Sequence, residues 1–345
     1  MALDRNSLIA LARANAKASL NPSKTYSFEG QSLTAEALNQ TFINELNELG
    51  KTPHQFDENR NLIYTLMEES LSEVLPAKVM QAYGQFADIK TYPQGTKPVF
   101  KIKVTEASKK RAKQFVTKVG LAGRYETFKL DGKTLEVPTS AYGGAARLEW
   151  EELLDGRATM SDYYNIVLEG LDEKIYQEIA KSLKAFVSNV KSTNKNNGTS
   201  NGFDEAEFDR LIQIADAYGK ATIYCTFEFA AKIKPAEAWA SDSVKDQIWN
   251  HGYVTTYKGH NVVVLPQSFT DETNTEKVMD PSIAYIIPTG SEKPVKVAFE
   301  GDAQVRSIMR EDWSTEMQTY QKVGVATYVD NPGICVYTMT ELAED

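Results

Sequence analysis

Between Asp162 and Val190, apolar residues fall at Tyr164, Leu168, Leu171, Ile175, Ile179, Leu183, Phe186 and Val190. Steps of three and four trace one face of a helix. The stretch therefore predicts a single amphipathic helix, roughly 45 Å long at 1.5 Å per residue, with Asp162 as its N-cap. A rod of that length suits a building part better than the wall of a small pocket. Residues 1–80 repeat the helical period. One helix fits Asn6–Leu20. A second fits Thr34–Leu49, capped by Thr34 and closed by Gly50. A third starts near Asp57, uses Leu62, Leu66, Leu71 and Leu75, and stops before Pro76. The pattern there gives few strand signals.

From residue 98 the period changes to two. Val99–Val104 alternates like a strand. Thr127–Leu130 and Thr134–Val137 flank Asp131-Gly132, a hairpin signal. Such a hairpin is too polar to make its own core and must lie on another surface. Gly143-Gly144 reads as a bend before the helical segment. Lys191–Gly202 (KSTNKNNGTSNG) has no apolar residue and reads as a linker. Residues 203–300 read as an α/β unit. Asp204 and Glu207 open a helix carrying Phe208, Leu211, Ile212 and Ala215. A strand follows at Ala221–Phe227, then a helix at Ser243–Asn250 closed by Gly252. A hairpin turns at Lys258-Gly259 between Tyr253–Tyr257 and His260–Leu265, and Ile283–Ile287 is a buried strand. Beyond it, Thr315–Tyr328 alternates, Asp330–Gly333 (DNPG) turns, and Ile334–Met339 returns antiparallel.

Charge alters this picture. The chain carries −9 overall, yet Lys101–Arg124 holds eight basic residues against Glu106 alone; that segment is +7 and leaves −16 elsewhere. Opposite charges segregated along one chain suit copies that attract one another, or a patch that touches phosphate. No apolar run approaches the eighteen residues of a membrane span, and the N-terminus reads as an amphipathic helix with no secretory core. Cys225 and Cys335 sit in apolar strand patterns without CxxC spacing, so buried free thiols and a reducing compartment are expected, and the sequons at Asn39 and Asn197 carry no weight.

The inventory for catalysis is thin. His54, His251 and His260 fall in no metal spacing, and His260, at the start of an apolar strand, is expected to be solvated or hydrogen-bonded. Phosphate loops and nucleophile elbows are absent from the sequence. Glu68/Glu69 and Glu151/Glu152 are adjacent pairs, which on a helix point about 100° apart and do not converge. Neither a cofactor nor a metal is expected.

The order of elements, with ATIYCTFEFAAKIK (Ala221–Lys234), YKGHNVVVLPQSF (Tyr257–Phe269), and the pair Ile283–Gly290 and Val295–Phe299, resembles the major capsid proteins of tailed bacteriophages, whose fold is shared with encapsulins and herpesvirus shell proteins. The resemblance implies an α+β, phage major-capsid-like fold. Its parts would be an N-terminal helical arm (1–80), an extended hairpin loop with the first part of a peripheral domain (81–150), a spine helix and linker (151–202), an axial α/β domain (203–300), and returning strands of the peripheral sheet (301–345). It also implies self-assembly into hexamers and pentamers of an icosahedral head around double-stranded DNA, within the virion after assembly in the host cytoplasm. A separate scaffolding protein is expected, with portal and decoration proteins, and no membrane. Loop residues Lys109, Lys110, Arg111, Lys113, Lys129 and Lys133 would contact a neighbouring copy. Some members of the family join a loop lysine to a peripheral asparagine; Lys129 or Lys133 and Asn331 are the residues here that such a link would use. Three other readings stand beside this one: an encapsulin-like compartment enclosing protein, a soluble acid/base hydrolase built on 203–300, and a nucleic-acid binder using Lys101–Arg124.

Overall fold

The computed structural model describes residues 4–20, 24–28, 30–102, 109, 113, 132–148, 151–152, 155, 157, 159–191, 195–233, 242–290, 292–311, 314–329 and 331–343. Their Cα positions form two compact units. The first comprises Met1–Pro98, Glu136–Glu178 and Lys296–Ala326; the second comprises Val99–Leu135, Ile179–Val295 and Thr327–Asp345.

The first unit opens with α1 (Arg5–Leu20), a hairpin of β1 (Thr25–Phe28) and β2 (Gln31–Thr34), α2 (Ala35–Leu49) and α3 (Pro53–Tyr83). Thr34 caps α2 by accepting from the Ala37 amide, as its position before the apolar period predicts. The hairpin was not legible: four-residue strands of Thr, Ser, Tyr and Gln show little alternation of polarity. The α3 helix is longer at both ends than expected. Thr52 caps it by accepting from the Gln55 amide, and Pro53 begins it, where a missing N–H costs nothing. It then runs through Pro76. An interior proline costs about 3 kcal/mol. Burial of Leu75, Val79 and Tyr83 on either side offsets that cost.

The helix α4 (Met160–Lys191) realises the long stripe. Its first half runs parallel to α3, as three successive pairs show. Ser70 and Tyr164 share a hydrogen bond of 2.6 Å, Lys78 lies 3.8 Å from Asp172, and Tyr83 stacks on Tyr176 at 5.8 Å. Burial pushes the Tyr164 phenol up to about 12 and raises the Asp172 carboxyl, against the pull of Lys78. The N-cap is Thr159, not Asp162. Thr159 Oγ1 accepts from the Asp162 amide at 3.3 Å while Asp162 Oδ2 accepts from the Thr159 amide at 2.8 Å. This reciprocal capping box moves the start three residues upstream of the acidic residue. Replacing Thr159 by Ala should cost about 1 kcal/mol, read as a lower denaturant midpoint with unchanged slope.

The same unit holds a four-stranded sheet in the order β3 (Ala87–Tyr92), β12 (Val295–Met309), β13 (Thr315–Thr327), β6 (Ser140–Leu148). Gly143-Gly144 is no bend. It lies inside β6, which pairs antiparallel with β13 from Val323↔Ser140 to Thr315↔Leu148. A Cβ at Gly143 would stand 2.4 Å from the Thr319 carbonyl oxygen, so the glycine lets the two backbones close. Glu300, on β12, ties the sheet to its surroundings. It accepts from Thr139 Oγ1, from the Gly95 amide at 3.1 Å and from Lys322 Nζ at 3.2 Å. These bonds hold its carboxyl below the ordinary value of 4.5. A depressed carboxyl stabilises the fold above its unfolded value and loses that contribution as pH falls through the folded one. Glu300→Gln should therefore lower Tm at neutral pH, and the gap to the native chain should close progressively below pH 4.5. Thermal melts of both chains across that range check it.

The second unit is built on a mixed six-stranded sheet, β7 (Asn197–Ser200), β14 (Cys335–Met339), β11 (Ile283–Pro288), β8 (Ala221–Cys225), β10 (His260–Val264), β9 (Thr256–Tyr257). Every residue of β8 and β11 is buried. The helix α5 (Glu205–Asp216) lays Phe208, Leu211, Ile212 and Ala215 on this sheet. Asp204 caps it by accepting from the Ala206 and Glu207 amides; Glu207 turns to Arg210 instead of completing a capping box. The strand expected over Ala221–Phe227 ends at Cys225, because Thr226 caps the short helix α6 (Phe227–Lys232). The helix α7 (Asp242–His251) ends on Gly252, whose φ is +78° and whose amide reaches the Ile248 carbonyl at 2.8 Å. Lys258 (φ +46°) and Gly259 (φ +89°) make the two-residue turn of the β9–β10 hairpin.

Two expectations in this region are corrected. The Asn/Gly/Ser stretch read as a linker contains β7, paired parallel with β14; Asn196 Nδ2 fixes it by donating to the Ile334 carbonyl at 3.0 Å. And β14 does not return on β13. It pairs antiparallel with β11, in the other sheet. The two strands of the basic ribbon that fall within the described residues, β4 (Val99–Ile102) and β5 (Lys133–Glu136), form a sheet of their own. The Thr127–Leu130 strand and Asp131 lie outside the described residues.

Candidate subunit-contact surfaces

Several of the groups that the sequence offered for chemistry are held in structural contacts. Cys225 and Cys335 are buried free thiols. Burial raises both, Cys335 up to about 12, so neither offers a thiolate near neutral pH. His260 is hydrogen-bonded as expected, with Nδ1 3.2 Å from the Ala221 carbonyl and Nε2 3.3 Å from Asp216. Glu68 accepts from the Val305 amide at 2.8 Å and Glu69 pairs with Arg13 at 2.9 Å, so this adjacent pair diverges. Among the described residues, no cluster of His, Cys, Asp and Glu is placed to hold a metal, and no helix is long and apolar enough to cross a membrane.

The surface offers contact instead. Of the loop cations named from sequence, Lys109 and Lys113 lie in helical turns and are exposed. Lys133 sits at the start of β5, also exposed, with Nζ 5.3 Å from the Tyr328 ring centroid. That cation–π geometry orients the ammonium without removing it from water. Lys110, Arg111 and Lys129 lie outside the described residues. Asn331 is 5% exposed and turned inward, its Oδ1 accepting from the Gly333 amide at 2.8 Å. On the first half of α4, Asp162, Glu169 and Glu173 are exposed and acidic. Opposite charge across a contact fixes register and partner choice more than it adds affinity.

Sequence reasoning missed a second class of candidate residue, the exposed large apolar side chains. Trp249 on α7 is 90% exposed, Ile166 on α4 63%, Met309 on β12 56% and Phe227 on α6 49%. Isolated exposed apolar groups are ordinary, but large aromatics free of cover are what interface anchors look like before a partner arrives. No sequence signal separates them from core, because burial depends on what lies opposite in space.

Comparison with known proteins gives this surface its context. The family model described as "SPbeta prophage-derived putative capsid protein YonB" matches residues 19–336. None of the curated proteins matches the chain. Among solved structures, the chain is similar to the head of Helicobacter pylori bacteriophage KHP40 at 12% identity, covering 75% of this chain and 90% of that one, with a TM-score of 0.48. It is similar to Mycobacterium phage Adephagia at 13% identity, 73% and 87% coverage and a TM-score of 0.46. It is similar to the virus-like particle from Pyrococcus furiosus at 11% identity, 77% and 98% coverage and a TM-score of 0.40.

The protein is a phage capsid protein, a structural subunit of the virion, and its described residues form a mixed α+β fold. Since the match spans nearly all of the sequence, the chain belongs to the SPbeta prophage-derived YonB capsid family.

Proposed function

We propose that this chain is the shell-forming subunit of a tailed-phage head, assembling in the host cytoplasm into hexamers and pentamers that close an icosahedral shell around double-stranded DNA. The family match over residues 19–336 carries the reading. On this view residues 1–80 are the arm, 81–150 hold the extended loop, 151–202 the spine helix and the segment after it, and 203–300 the axial domain; β12 and β13 then form the peripheral sheet, while β14 joins the axial sheet. The loop cations Lys109, Lys110, Arg111, Lys113, Lys129 and Lys133 meet acidic surface on an adjacent copy, and the exposed stretch of α4 is a surface of that kind. Each contact can be modest, because every copy makes several at once. The role is structural, with no reaction assigned to any residue. A net charge of −9 disfavours tight DNA binding, so genome contact is through the backbone and without base readout. A separate scaffolding protein guides closure, and portal and decoration proteins complete the particle.

Electron microscopy of the purified protein, with and without a co-expressed scaffold, tests this. Closed shells of regular size are expected; a monodisperse small oligomer under all conditions would refute it. One observation favours the encapsulin-like alternative. A groove of about 510 Å³ lies between α1 and β1, lined by Ile9, Ala10, Arg13 and Tyr26 among others, and suits a peptide of a guest protein. Mass spectrometry of native particle contents separates nucleic acid from protein cargo.

A further inference from the structure

The four-stranded sheet of the first unit has β3 at one edge and β6 at the other. Among the described residues, no strand pairs with the outer side of β6. This is an unusual edge. It runs nine residues, SAYGGAARL, and from Ser140 to Ala146 it carries no charge. Residues 140–147 are exposed or half-buried throughout. Proteins ordinarily blunt such an edge with lysine, proline, a bulge or a covering element, since a row of open N–H and C=O groups is a template for another chain. The other edges in the described residues do carry such protection or are short. Asp88 and Lys90 charge β3, Lys133 and Glu136 charge β5, and β7 and β9 span four and two residues.

We infer that β6 is a subunit-pairing edge and that its partner is β6 of a second copy, antiparallel across a two-fold axis. The match is one of length and charge. Of the described edges, β6 itself is the long uncharged one, so a second β6 fits it best. Antiparallel pairing about Gly144 sets Gly143 against Ala145, Tyr142 against Ala146 and Ala141 against Arg147, with no like charges opposed. One patch serving both sides of a two-fold is the usual form of a self-complementary interface. The inference rests on the shell-subunit reading for the presence of neighbouring copies, and adds to it the surface on which two of them join.

Cysteine substitution decides it. Opposed residues of an antiparallel pair stand about 4.5 or 5.5 Å apart at Cα, within the range a disulfide spans. Gly144 has open space around its Cβ position, and the native thiols are buried, so background is low. Gly144→Cys, Ala145→Cys and, as control on the far edge, Lys90→Cys are each assembled, oxidised and run on a non-reducing gel. The expected result is a covalent dimer accounting for about half or more of the chains with Gly144→Cys, little with Ala145→Cys, whose two copies stand about 7–8 Å apart on the diagonal, and none with Lys90→Cys. Particles without dimer from Gly144→Cys overturn the pairing and leave the shell reading standing. A dimer appearing only when β6 and Lys90→Cys chains are mixed means head-to-tail pairing and also overturns it. If the unmodified chain forms no particles the shell reading fails, and the gel of the soluble protein still decides the pairing.

Discussion

Reversing the loop charges, Lys109, Lys110 and Arg111 to Glu together, is expected to abolish shell formation while leaving the subunit folded. The three changes shift the segment from Lys101 to Arg124 from +7 to +1, and on the proposed reading each turns an attraction toward acidic neighbour surface into a repulsion. Exposed single ion pairs contribute only about 0.2–1 kcal/mol. Multiplied over every loop in a closed shell, such contacts become decisive. Sedimentation and electron microscopy should show soluble subunits or capsomers in place of particles, with an unchanged circular dichroism spectrum. Restoration by Glu169→Lys and Glu173→Lys would identify α4 as the partner surface. A normal yield of particles from the triple variant would remove the loop from the assembly contacts. A simple DNA-binding patch predicts a different result: unchanged particles, with weaker and less salt-dependent DNA affinity.

Phe208→Ala should have the largest effect on folding. Phe208 is fully buried, and its ring meets Tyr337 at 5.2 Å, Phe203 at 5.3 Å and Tyr257 at 5.4 Å, all edge-on. Tyr337 is fixed in turn by its hydroxyl, which accepts from the Asp204 amide at 2.8 Å and lies against the Gly202 carbonyl at 3.2 Å. Removing the ring opens a cavity where α5 meets β14. A loss of about 3–5 kcal/mol is expected, out of a domain stability of about 5–15 kcal/mol, equivalent to roughly 10 °C in Tm. Calorimetry would show it, and proteolysis should cut first within residues 203–300. A shift of only one or two degrees would mean that the aromatic cluster can close over the gap.

The helices and the buried strands were legible because their cause is local. An apolar period of 3.6 residues placed α1, α2, α4 and α5. Of the eight apolar positions of the α4 stripe, all but the half-buried Leu168 face the interior. The Lys258-Gly259 turn was legible for the same reason, since only a few residue pairs accept positive φ at both positions. What escaped was decided at a distance. Strand β6 is glycine and alanine where it meets Thr319 and Tyr320, so its reason for existing lies on β13. Strand β7 has Asn, Gly, Thr and Ser, and is a strand because β14 offers it a ladder. Pro76 broke a local rule that packing on Leu75 and Val79 overrides. The candidate contact residues divide the same way. The cations could be counted along the chain, whereas Trp249 and Ile166 emerged only once their exposure was visible.

The place of β14 bears on how a cell makes this subunit. That strand sits between β7 and β11, and it comes from residues 335–339, long after both partners have been synthesised. Until it inserts, β7 has no neighbour and β11 has one flank open. The second unit therefore cannot complete its sheet until residues 335–339 have left the ribosome. A chain cut ahead of Cys335 would leave β7 without a strand partner and one flank of β11 open to proteases.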